Sequence, residues 1–476
     1  MIKLILSVLH GKDSFKGIEE ELLKILRRKF KELLTEVFEE FDEYLMETRD
    51  KERLKVKGIR KRTIVTVFGE LTFKRRYYYD SKLDEYRYIL DETLNLPKHD
   101  RVSNLVKEKA LTMVRDISYR KSAARINDML GGHISASSLH SWVQKLGKKK
   151  EKELERERKK TYEQGLVQEK REDANKTEHL FIEADGVVVN LQNDGEERSH
   201  LEIKLGVAYT GWENRYFNSK EYRVKNKKIF GGCAESDQFW QEMGINIWQH
   251  YDLGSEGVTV LNGDGASWIH RAKTYLPFLN YRMLDSYHLQ RNLLNGLGRS
   301  KFLPKVREAI ADYDKEKTIK LLDEAKSYRK NQKDRKKVES LKKYILKHWE
   351  NILDYRKKDI STPNIARGMG IIESNVDYIL ADRLKKQGIS WSEEGAQNIS
   401  RVIIAYESGE LEELLLKEEK EEQDTDGVAR QKAFRRLQSN QKPSENLFFK
   451  MTSEPAEGAA YRFLKDICRN VPESPV

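Results

Sequence analysis

Only two cysteines, Cys233 and Cys468, occur in 476 residues. That excludes a disulfide framework and a multi-cysteine zinc site. Long apolar runs are also missing, and none approaches the ~18 residues a membrane-spanning helix needs. The N-terminal Leu4-Ile5-Leu6-Ser7-Val8-Leu9 is too short for the apolar part of a secretory signal, and no small-residue cleavage site follows it. The expectation is a cytoplasmic protein with no membrane partner. Charge, by contrast, is abundant. Lys and Arg number 89 against 78 Asp and Glu, a net charge of +11, and 35% of residues are charged. The length suits two or three domains of ~100–200 residues each. The basic excess is compatible with nucleic acid as a partner.

Texture divides the chain into segments. Residues 1–60 read as an amphipathic helical region. Leu22, Leu26, Phe30, Leu33, Val37, Phe41 and Leu45 recur at three- and four-residue steps from 15 onward. The module 61–100 changes period. "TIVTV" and "LTFKRRYYY", parted by Phe68-Gly69-Glu70, predict a β-hairpin whose second strand carries Lys74, Arg75 and Arg76. Basic residues interleaved with tyrosines can grip a phosphate backbone, and they equally fit an ordinary solvated hairpin.

Residues 101–150 read as three helices with a glycine-bearing turn before the third, a helix-turn-helix-like pattern. Arg120 and Lys121 lie on the second helix. Ser138, His140, Ser141 and Gln144 on the third are placed to face a major groove. A plain helical subdomain is the alternative. The charge run 151–178 reads as a solvated linker helix. From 179 to 298, three strands are followed by helix, strand, helix and strand, the order of an RNase H-like α/β core. Residues 299–362 form a basic all-α insertion. The core resumes over 363–416, and 417–476 is a polar tail.

Three acids stand out. Asp185 follows "LFIEA", and Asp264 follows the apolar run Val258-Thr259-Val260-Leu261. Such a run suits a central strand buried on both faces, and an acid at its carboxyl end enters the crevice where open α/β sheets bind ligands. Glu373 lies on a later helix. Carboxylate oxygens suit hard cations, and two Mg²⁺ or Mn²⁺ ions ~3.5–4 Å apart can serve phosphodiester chemistry. Taken alone, Asp264 between Gly263 and Gly265 fits a turn acid nearly as well. Glu183 rivals Asp185 on one strand face, and Asp377 rivals Glu373 one helical turn on. Asp285 and His288, three apart, add a His that an acid can orient against a phosphate. The glycines beside Asp264 are expected to let metal and DNA backbone approach.

The stretches "TVFGELTFKRRYYYD", "SYRKSAARIND", "FIEADGVVV", "VLNGDGASWI", "LDSYHLQRN" and "ESNVDYILADRLKKQGISWSEEGA" resemble the bacterial insertion-sequence transposases of the ISLre type, relatives of the Mutator-like DDE transposases. The resemblance covers nearly all of the chain. It implies a DDE triad of Asp185, Asp264 and Glu373 on an RNase H-like core, with His288 as the histidine of the "DxxH" motif. It further implies two Mg²⁺ or Mn²⁺ ions, double-stranded DNA at element ends and target, and self-association as a dimer or larger synaptic assembly. The hairpin, the helix-turn-helix-like region and the basic insertion would bind terminal inverted repeats. A bacterial, nucleoid-associated cytoplasmic location follows. Two other readings stay open: an RNase H-like nuclease without strand transfer, and a transposase-derived DNA-binding regulator without catalysis.

Overall fold

The computed structural model describes residues 14–96, 100–131, 133–166, 169–192 and 199–416. The expected polar tail at 417–476 lies outside them. The described residues divide into two compact units, one within 14–114, 119–139 and 415–416, the other within 115–118 and 140–414.

In the first unit, helix α1 (Phe15–Thr48) starts at Ser14, whose hydroxyl accepts from the Gly17 amide. Its apolar stripe meets strands β1 (Leu54–Thr66) and β2 (Gly69–Asp80), with Leu45, Ile64, Leu71, Phe73 and Leu90 as the core. A short β3 (Glu85–Arg87) completes a three-stranded sheet. The helical reading of 15–60 is corrected here: the helix stops at Thr48, and 54–62 is strand. After Leu45 the apolar repeat lapses. Asp50 then accepts from the Glu52 and Arg53 amides in a turn, and Val56 and Ile59 pair with Tyr78 and Arg76.

Helix α2 (Ile89–Thr93) supplies Asp91, and α3 (Asn104–Asp116) and α4 (Tyr119–Leu130) follow. Asn127 clamps the turn after α4: its side chain both accepts from the Ile134 amide and donates to the Ile134 carbonyl. Helix α5 (Ala136–Arg158) begins one cap earlier than expected, at Ser135, whose hydroxyl accepts from the Ser138 amide.

The run at 151–178 is not a solvated helix throughout. α5 continues to Arg158, a π-helical turn spans Lys159–Glu163, and strand begins at Asn175. Glu151 and Arg158 face inward. Buried Arg401 reaches Glu151 at 2.7 Å and Glu242 at 2.6 Å, and Arg158 also contacts Glu242.

The second unit is built on a five-stranded sheet. Its strands are β4 (Asn175–Asn190), β5 (His200–Tyr209), β8 (Lys228–Cys233), β9 (Tyr251–Gly263) and β10 (Tyr281–Leu284). The order is β10-β9-β4-β5-β8. β4–β5 and β5–β8 are antiparallel, whereas β4–β9 and β9–β10 are parallel. The strand expected over 221–232 splits. β7 (Tyr222–Val224) pairs with β6 (Trp212–Asn214) as a separate ribbon, and Asn226 at φ +51° turns the chain into β8.

Helix α6 (Ser236–His250) covers one face through Phe239, Trp240, Met243 and Ile247. It sits close over Gly206, where a Cβ would lie 2.9 Å from Met243 Sδ. Two short helices, α7 (Ser267–His270) and α8 (Ala272–Tyr275), follow β9. The fifth strand ends at Leu284, because Asp285 caps helix α9 (Ser286–Leu297). Helices α10 (Phe302–Ala311), α11 (Lys315–Tyr328) and α12 (Gln332–Ile352) pack with α9 around Leu293, Leu303, Leu322, Leu341 and Trp349. The return helix comprises α13 (Ile372–Asn375), a π-helical stretch Val376–Ala381 and α14 (Asp382–Leu384). Helix α15 (Glu393–Glu407) closes against β8 and carries Arg401.

Removing one partner from a buried ion network strands the others without counter-charge. Arg401→Met is therefore expected to lower stability by ~3–5 kcal/mol in urea denaturation. A loss under about 1 kcal/mol would show that Glu151 and Glu242 are held by other groups.

Candidate active site

Strand register assembles the site. Gly263 of β9 lies opposite Ala184 of β4 on one side and Leu284 of β10 on the other. The next residue in each segment is an acid: Asp185 within β4, Asp264 just after β9 and Asp285 just after β10. Three adjoining chain segments thus deliver three carboxylates along one edge of the sheet. The turn that follows β9 presents Asp264, whose carboxylate accepts from the Ala266 amide at 2.8 Å. Asp185 accepts from the Gly186 amide at 2.8 Å.

His288, in the first turn of α9, joins them. Ligand atoms of Asp185, Asp264 and His288 all lie within 4.8 Å of one another, a grouping able to hold a metal ion. Asp285 stands behind the histidine. Its Oδ2 accepts from the His288 amide at 3.0 Å and from Nδ1 at 3.1 Å. That hydrogen bond lifts the imidazole above its usual range against the opposing effect of burial, and Asp185 adds to the lift. Burial disfavours the Asp285 anion, but the bonds from His288 and Asn262 outweigh it and hold the carboxyl below its usual range. The two shifts together favour the imidazolium–carboxylate form of the pair over that of the free side chains.

Burial pushes Asp185 up to about 7, with repulsion from Asp264 and Glu373 added, while the Gly186 amide and His288 pull the other way. The influence of Glu373 puts it in the same field as the two aspartates. It is half-buried at the start of the return helix, just before the π-helical stretch, a feature frequent at functional sites. Its rival Asp377 is exposed and bound to Lys386 at 2.6 Å.

Glu183 is fully buried and belongs to the scaffold. It accepts from Tyr209 at 2.7 Å, from Asn262 at 3.2 Å, and from the Ile371 and Ile372 amides at 3.3 and 3.4 Å. It therefore caps the start of the helix that bears Glu373. Asn262 also donates to Asp285 at 3.1 Å. A buried chain Glu183–Asn262–Asp285–His288 results. Sequence reasoning missed Asn262, although a polar residue closing a buried apolar strand was the available signal.

The flanking glycines serve packing. Gly265 has φ +84°, and a Cβ there would lie 2.7 Å from the His348 ring. A Cβ on Gly263 would press on Ile269 at 3.1 Å. Side chains of the protein therefore stand where a Cβ at either glycine would go. His348 comes from α12, as does Tyr344, whose hydroxyl donates to the Asp264 carbonyl at 3.3 Å. No sequence signal tied that insertion helix to the Asp264 turn.

The candidate DNA-contacting residues divide. Arg75 is buried and paired with Asp91 at 2.7 Å, and Arg76 binds Asp42 at 2.8 Å, so both guanidinium groups serve the fold. Ser138 takes part in the cap of α5, and Gln144 accepts from Asn398 at 2.7 Å. Lys74, Arg120, Lys121, His140 and Ser141 are exposed.

An Asp raised from 3.8 to about 7 binds more protons folded than unfolded, so its contribution to stability falls as pH rises from about 4 to about 7. In EDTA, Asp185→Asn should stabilise the protein, and its advantage should widen by on the order of 2 kcal/mol between pH 5 and pH 8. Urea titrations at both values check this; an equal gap at both would contradict it.

Residues 10–422 match an uncharacterised protein family, UPF0236. A UPF0236 protein from the vanSb 3' region of Streptococcus gallolyticus is 28% identical over 403 residues, covering 83% of each chain. A UPF0236 protein of Caldanaerobacter subterraneus subsp. tengcongensis is 26% identical over 387 residues, covering 81% of this chain and 76% of its own. The chain belongs to the UPF0236 family.

Proposed function

We propose that this UPF0236 chain is a DDE-type DNA transposase with an RNase H-like core, similar to the ISLre insertion-sequence enzymes. The observation that carries the reading is the register that sets Asp185, within β4, beside Asp264 and Asp285, which directly follow β9 and β10, with Glu373 and His288 beside them. The sheet supports it too: three strands in antiparallel sequence, then two parallel ones on the far side of the first. A third support comes from the relatives. The name of the Caldanaerobacter protein joins eleven locus designations in one strain, as a gene that copies itself would produce.

Asp185, Asp264 and Glu373 would hold the divalent cations. Their oxygens suit Mg²⁺ or Mn²⁺, and the high proton affinity of Asp185 marks a site short of positive charge. Two such ions, when bound, supply activation of the attacking oxygen and neutralisation of the departing one. His288, kept protonated by Asp285, donates to a non-bridging oxygen of the scissile phosphate. Glu183 and Asn262 fix both ends of this arrangement without touching DNA. The helix-turn-helix-like helices would hold element ends, and joining two ends calls for at least a dimer. Among the described residues no helix is long and apolar enough to cross a membrane, and a cytoplasmic, nucleoid-associated enzyme fits the proposal.

The test is cleavage of a supercoiled plasmid that carries the DNA flanking the gene on both sides. With Mg²⁺, the protein should cut at the element ends and join them to a second DNA. Asp264→Asn and Glu373→Gln should reduce both steps to background while end binding persists. Cleavage without joining would identify a nuclease. Cleavage that survives Asp264→Asn would overturn the assignment.

A further inference from the structure

The helical insertion holds a second feature beside the acids. Helices α9 and α12 approach closely because residue 296 is glycine: a Cβ there would lie 2.7 Å from Leu341 Cδ2. Above that contact runs a groove of about 580 Å³. Asn292 and Asn295 line it from α9, and Lys333, Lys336, Lys337 and Tyr344 line it from α12. Asn292 lies four residues after His288, so the groove opens one helical turn from the site on the same face. Tyr344 forms its inner end and is bonded to the carbonyl of Asp264.

The placement of the lysines is electrostatically unfavourable for the free protein. Lys333 sits in the first turn of α12, which begins at Gln332, where the helix dipole disfavours a cation, and Lys336 and Lys337 follow within the next turn, close enough to repel it and each other. Asp334 offsets only Lys337, at 3.3 Å. Among the described residues, Lys333 and Lys336 have no acidic partner. A cluster of cations held against a helix N-terminus is relieved when an anion enters the groove. From Lys333 to Tyr344 the helix runs ~16 Å, at 1.5 Å per residue. That matches ~5 nucleotides at the 3.4 Å axial rise of one strand.

We propose that this groove receives the phosphodiester backbone of the DNA strand whose scissile phosphate lies at Asp185 and Asp264. Lys333, Lys336 and Lys337 neutralise successive phosphates, and Asn292 and Asn295 donate to their oxygens. Tyr344 links occupancy of the groove to the position of the Asp264 turn. The inference rests on the DNA reading above and adds the path of the strand.

The test uses the full chain, a fluorescent 30-base-pair duplex of random sequence, and EDTA, so that catalysis plays no part. Binding is titrated over a series of NaCl concentrations. Lys333→Ala/Lys336→Ala/Lys337→Ala should reduce the slope of log K against log[salt] by about 2–3, at ~0.9 per lost phosphate contact. Ser340→Glu, which sets an acid in the exposed wall of the same groove, should weaken binding as well. A control triple, Lys305→Ala/Lys315→Ala/Lys317→Ala, removes equal charge from α10 and α11 and should leave the slope within about one unit of the parent. An unchanged slope in the groove triple, or an equal fall in the control, would overturn the inference. An unchanged slope with lost affinity for polyglutamate would instead assign the groove to an acidic protein segment. Either failure leaves Asp264-dependent cleavage standing. Conversely, loss of the cleavage reading leaves the salt slope as an independent result.

Discussion

The arrangement at the sheet edge depends on one buried polar chain, Glu183–Asn262–Asp285. A carboxylate shut away from water is tolerated only with its lone pairs occupied, and Glu183 meets that demand with a tyrosine, an asparagine amide and two main-chain amides. The four donors come from three elements. Satisfying one buried anion therefore fixes β5, β9 and the start of the Glu373 helix relative to β4. Asn262 passes the constraint to Asp285, and Asp285 passes it to His288. The half-buried end of the chain, His288, is the part that the proposed reaction would set against a substrate.

This division of labour explains why two acids on one strand have opposite characters. Glu183 and Asp185 are two residues apart, so they share a strand face. One lies inside the hydrogen-bonded core, and the other lies at the rim, close to Asp264 and Glu373, where its charge is opposed by burial and by its neighbours. The scaffold acid is matched with donors. The rim acid is left with its charge opposed first by burial and then by its acidic neighbours, which the proposed divalent cation would offset.

Much of this was legible in the sequence. The apolar run 258–261 ending at Asp264, the helix at 236–250 and the spacing of Asp285 to His288 all translate directly into structure, because local periodicity and caps determine them. The strand at 54–62 was not legible, since its basic residues alternate weakly and pairing with the tyrosine-rich β2 decides its state. Nor were the ion pairs of buried Arg75 and half-buried Arg76, whose partners Asp91 and Asp42 lie 16 and 34 residues away in sequence. The seat of Gly265 against His348 joins the turn after β9 to a helix of the insertion 83 residues on. Charge type reads from sequence, whereas the partner that neutralises it is set by tertiary packing.

The central claim is that Asp185, Asp264 and Glu373 form one cation site. Crystals grown with Mn²⁺ and examined by anomalous scattering test it most directly. The account predicts peaks within coordination distance of Asp185 and Asp264, ~2.0–2.6 Å from their oxygens, with Glu373 turned toward one of them. Mn²⁺ bound elsewhere, with these carboxylates left bare at saturating metal and pH 8, would contradict it.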